Sequence, residues 1–206
     1  MKKEELIKKF LFNRDETGRF IVKSWKTGKT YFVEPIDGDE KTVWGDYNPA
    51  TKTVNLSEDV YNGANVAAAA VAAHECGHAV QHATAYGPLG MRSALVPVVS
   101  FSSKWVTWII LGGLLLLGTG AGRIMLLIGI CLYAMITLFS FITLPVEVNA
   151  SQRAVNWLQE AGITDRETTE MASDALHGAA YTYVVAALSA LATLIYYILI
   201  FLGDRR

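Results

Sequence analysis

The stretch Ala64–Ala85, ANVAAAAVAAHECGHAVQHATA, decides how this chain is read. Alanine, the strongest helix former, dominates it, and Gly87-Pro88 follows as a stop signal, so one helix is expected over about residues 64–85. Within it stands His74-Glu75-Cys76-Gly77-His78, an H-E-x-x-H pattern. Residues four apart share a helix face roughly 6 Å apart. Both imidazoles can then reach one zinc ion at about 2.0–2.1 Å. Zinc makes a water acidic, and Glu75, beside the first ligand, is placed to take its proton as that water attacks a carbonyl.

The chain has four histidines, and three lie on this helix. His82 cannot join His74 and His78 on one metal, because His74 and His82 stand about 12 Å apart along the axis. Hydrogen bonding to a ligand imidazole and plain solvation are both open to it. A third ligand must therefore come from elsewhere, as a carboxylate, a histidine or a cysteine.

The remaining sequence says where to look. Hydrophobic residues make up 52% of the 206, and mean hydropathy is +0.29. Most of the excess lies after Trp105. Uncharged apolar runs over 105–122 and 124–146, separated by Arg123, read as a tight transmembrane hairpin, and 184–202 reads as a third span. The hairpin returns the chain to the side it left, and Glu147, just past Pro145, is the first carboxylate after that return. It would complete a His₂Glu sphere with one position open for water.

The first 60 residues are polar. Arg19–Trp25 and Thr30–Val33 flank a Gly-containing loop and read as a β-hairpin, Thr53–Leu56 as a short strand, and 3–12 as an amphipathic helix. Asn48-Pro49 is a turn signal, and the strand around Val54 is a possible edge for an extended peptide. Gly162 is expected to cap the helix that follows Glu147. Thr164 and Glu167 have capping-box spacing for the next helix. The formal net charge of -1 gives no basic surface for nucleic acid. Cys76 and Cys131 have neither disulfide nor CxxC spacing.

Several segments together resemble the YugP-type membrane zinc metallopeptidases. They are VAAHECGHAVQ, GPLGMRSALVPV, LPVEVNASQRA and AAYTYVVAALSAL, with YNPATKTVNLS before the helix. The resemblance covers about residues 44–195. It implies a zincin-type peptidase, distantly like the HtpX-type membrane proteases, with His74, His78 and Glu147 as zinc ligands and Glu75 as catalytic glutamate. The family usually begins with a transmembrane helix, where this chain has a polar stretch. Asn149 and His82 stand where the family usually has acidic residues, which bears on the groups around the ligands.

The expected architecture is mainly α with a small β element. A polar module with the hairpin occupies 1–43, and a membrane zinc metallopeptidase domain with about three spans occupies 44–206. The expected partners are one zinc ion per chain, a peptide or membrane-protein substrate, and the bilayer. His177 and Tyr183 are candidate oxyanion donors, with Tyr181 and Arg153 also considered. Interfacial placement is the more ordinary role for the tyrosines. A non-catalytic zinc-binding scaffold or chaperone is the competing function, and an intact Glu75 speaks against it. A fortuitous H-E-x-x-H is a third reading, against which Glu147 speaks. The N-terminal sequence MKKEELIKKF lacks an apolar signal region, so the metal site is expected to face the cytoplasm.

Overall fold

The computed structural model describes residues 13–14, 20–23, 30–35 and 45–203, with side chains from residue 45 onward. The helix expected over 3–12 lies outside the described residues. Five strands form one sheet: β1 (Asn13–Arg14), β2 (Phe20–Lys23), β3 (Thr30–Pro35), β4 (Gly45–Asn48) and β5 (Thr53–Leu56), in the order β1-β2-β3-β5-β4. The expected hairpin is present, with Phe20 opposite Val33 and Lys23 opposite Thr30. β3 and β5 run parallel, so ladder pairing joins the strands on either side of position 43.

The strand around Val54 is not an edge. β5 is paired on both sides, by β3 and by β4, and among the described residues β4 is the outermost strand on this side. Gly45, Asp46 and Asn48 are poor strand formers, which hides β4 in the sequence. Its turn is nonetheless well specified. Asn48 Oδ1 accepts from the backbone N–H of Ala50 at 2.9 Å and of Thr51 at 3.3 Å, and Lys52 closes the turn at φ 59°.

Five helices follow: α1 (Glu58–Asn62), α2 (Val66–Ala83), α3 (Gly87–Leu115), α4 (Gly120–Glu160) and α5 (Arg166–Gly203). Asn65 caps α2 by accepting from Ala68 N–H at 2.8 Å. The chain divides into two compact units, Met1–Tyr86 with Val146–Ala180, and Gly87–Pro145 with Tyr181–Arg206.

In the first unit, α2 is buried on two sides. Ala68 and Ala79 pack with Tyr47, Val54, Leu56 and Val60. Ala70 and Ala73 pack with Ala154, Leu158, Ile163, Ala172 and Leu176 of α4, α5 and their connection. The alanines thus serve close approach as well as helix propensity. In the second unit, Val106 and Ile110 of α3 pack on Leu126 and Ile130 of α4.

α3, α4 and α5 are each long and apolar enough to cross a membrane, and only 17%, 22% and 11% of their most apolar windows is buried. That exposure excludes buried core helices, and the chain is a multi-pass membrane protein. The helix ends differ from the expected spans. Residues 116–119 form a turn instead of the end of span one. Gly118 takes φ +88° there, and the Thr119 hydroxyl accepts from Gly122 N–H at 3.0 Å to start α4. Pro145 lies inside α4 and does not end it. Gly162 follows α4 with φ 63°, as expected. The box that opens α5 sits one residue later than expected. Asp165 Oδ1 accepts from Thr168 N–H, and the Thr168 hydroxyl accepts from Asp165 N–H, both at 2.9 Å.

Candidate metal centre

α2 presents His74 and His78 one turn apart, with ring centroids 4.8 Å apart and ring planes at 88°. α4 brings Glu147, buried at 3% exposure, against both. Glu147 Oε2 lies 3.2 Å from His74 Nε2 and 3.5 Å from His78 Nε2. The approach is possible because the helices nearly touch. A Cβ on Gly77 would lie 2.7 Å from the Ala150 carbonyl oxygen, so only glycine fits between the two histidines at this separation.

The donor set suits a divalent metal. One ligand atom from each of the three residues lies within 4.8 Å of the others. A tetrahedral ion with bonds near 2.0–2.1 Å would separate neighbouring ligands by about 3.3 Å, and the two Glu147 distances bracket that value. Two imidazole nitrogens and a carboxylate oxygen match zinc. Cys76 is outside this cluster, and burial and the neighbouring Glu75 charge push its thiol up to about 12.

Each imidazole is oriented from behind. Gln81 Nε2 donates to the Val146 carbonyl at 2.8 Å and to Asn149 Oδ1 at 3.1 Å. Its Oε1 therefore faces His78 Nδ1 at 3.0 Å, and Nδ1–H must donate. The lone pair of His78 is left on Nε2, toward Glu147. The Ser151 hydroxyl meets His74 Nδ1 at 3.1 Å and can hold it the same way.

Glu75, also buried, turns toward the sheet. A Cβ on Gly45 would lie 2.8 Å from Glu75 Cγ, so β4 runs against the carboxylate side chain. Burial raises the Glu75 pKa above the ordinary carboxylate range, although His78 and His74 pull it down.

The other expected residues stand elsewhere. His82 Nδ1 meets the Tyr47 hydroxyl at 2.9 Å and so ties the zinc-helix candidate to β4. Asn149 accepts from Gln81 and from Arg153 Nε, the latter at 2.8 Å, and reaches His78 only through Gln81. His177 is exposed on α5, with Nδ1 3.4 Å from the Ser173 hydroxyl. Tyr181 and Tyr183 are exposed residues of the second unit. Gln81, Ser151 and Gly45 were not foreseen. Ser151 had a signal, since it lies one turn beyond Glu147 on the same helix face. Gly45 had none until β4 was located.

The sequence matches a family described as "Putative neutral zinc metallopeptidase" over residues 32–202. It is 41% identical over 174 residues to "Putative membrane protease YugP" of Bacillus subtilis (strain 168), covering 84% of this chain and 74% of that protein. No solved structure matches it.

Proposed function

The chain belongs to the neutral zinc metallopeptidase family, and from that membership we propose how its own residues carry out zinc-dependent peptide hydrolysis at the membrane. His74, His78 and Glu147 hold one zinc ion per chain. When bound, zinc acidifies a water and polarises the scissile carbonyl. Glu75 accepts the proton of the attacking water and passes it to the leaving amine nitrogen as the C–N bond breaks. The substrate is an extended segment of a peptide or membrane protein. It pairs with β4, the outermost described strand on this side of the sheet, whose Gly45 lies beside Glu75. We assign residues 1–43 to a polar N-terminal module and 44–206 to the peptidase part. Its strands β1 to β3 extend the sheet from the side of β5 opposite to β4.

The observation that carries this reading is the convergence of three ligand atoms within 4.8 Å. A non-catalytic scaffold would need the three ligands but not a buried carboxylate beside them, whose ionisation burial opposes. Detergent-purified protein should contain about one zinc per chain and cleave unstructured peptides, with cleavage lost in a chelator and restored by zinc. Protein free of zinc, with cleavage indifferent to chelator, would reject the assignment.

We propose that the metal centre faces the cytoplasm. Four basic residues, Arg92, Lys104, Arg153 and Arg166, flank the spans on its expected side, against Arg123, Arg205 and Arg206 on the other. Four against three is too small a difference for the positive-inside rule to set the orientation, and labelling tests it directly. In a variant with Cys76 and Cys131 replaced, a cysteine at Asp59 should be protected from an impermeant thiol reagent in intact cells, and one at Leu202 should react. The reverse pattern overturns the orientation and leaves the zinc assignment intact.

A further inference from the structure

We propose that Gln81 is a positioning residue that sets two metal ligands at once, fixing the tautomer of His78 and the position of Glu147. The inference rests on the ligand set proposed above. Gln81 is fully buried, at 0% exposure, and its amide is engaged at both ends. The carbonyl of Val146 can only accept, so Nε2 must face it, and Oε1 must face His78. That demands a proton on His78 Nδ1 and leaves the Nε2 lone pair for a metal. The same amide nitrogen holds the backbone one residue before Glu147. One side chain, which needs to touch neither metal nor substrate, thus joins segments 65 residues apart.

The residue type follows from this double duty. A partner of a ligand histidine is often a carboxylate, which adds negative charge and orients the ring. A carboxylate at position 81 would still accept from His78. It would then face two more acceptors, the Val146 carbonyl and Asn149 Oδ1, with no hydrogen to offer either. Asn149 Oδ1 already accepts from Arg153 Nε, so the chain of hydrogen bonds behind His78 ends on a cation. A carboxamide, unlike a carboxylate, accepts on one side and donates on the other. Gln81 therefore orients His78 and holds the Glu147 segment without adding charge.

The test compares Gln81→Leu and Gln81→Glu with the full-length protein in detergent. Zinc affinity is read by competition with a chromophoric chelator, and folding by thermal unfolding. Gln81→Leu should bind zinc about 10–100-fold more weakly, with cleavage recovering as zinc is added in excess. Gln81→Glu, which keeps the contact to His78 and loses both donations, should fall between Gln81→Leu and wild type. A folded Gln81→Leu protein that binds zinc as tightly as wild type overturns the proposal. If that variant does not fold, the near-isosteric Gln81→Glu decides, and unchanged zinc affinity in it is equally fatal. His78→Ala separates the two levels of the argument. If it loses zinc while the Gln81 variants do not, only the role of Gln81 falls. If it keeps zinc, the ligand set itself is wrong.

Discussion

Glu147→Ala should abolish zinc retention through purification and, with it, peptide cleavage. Glu147 supplies the only carboxylate oxygen of the three-residue cluster, and it comes from a different helix than the two histidines. Losing a residue that merely orients a ligand typically costs 10–100-fold in metal affinity, and losing the ligand itself should cost at least about 100-fold. The variant also removes the carboxylate oxygen that lies 3.2 Å and 3.5 Å from the Nε2 atoms of His74 and His78. Its fold should survive, because α4 is still packed on α2 through Ala154 and Leu158. The measurement is zinc content and chelator competition beside thermal unfolding. A folded Glu147→Ala protein with wild-type zinc affinity would remove Glu147 from the ligand set.

Glu75→Gln should separate metal binding from chemistry. The glutamine keeps the size of the side chain against Gly45 and cannot take a proton. General-base catalysis typically contributes 10²–10⁴-fold, so kcat should fall by about that factor while zinc content stays at the wild-type level. The substitution removes a carboxylate whose charged form burial disfavours, so the fold should not be weakened. Cleavage at the wild-type rate would exclude Glu75 as the base. Loss of zinc together with cleavage would show instead that Glu75 supports the metal directly.

Much of this arrangement is local in origin and so can be read from sequence. Helix geometry at a four-residue spacing puts His74 and His78 on one face whatever surrounds them. Three long apolar runs need a bilayer because of their length and composition. β-branched and aromatic residues around a short loop suffice for the β2–β3 hairpin. Glu147 was legible for a different reason: two spans in succession bring a chain back to the side it left, which limits where a third ligand can come from.

What the sequence left open depends on contacts between segments far apart in the chain. Neither the strand order, with β4 outside β5, nor the run of α4 through Pro145 follows from local preference. Gly45 against Glu75, Gly77 against Ala150, and Gln81 between His78 and Val146 are likewise invisible in a linear reading. Local spacing could nominate His74, Glu75 and His78. Glu147 and the Gln81–Val146 contact reach the site because alanines and a glycine let α2 and α4 pack at backbone distance, and such close approach is a property of two surfaces together, set only when the chain has folded.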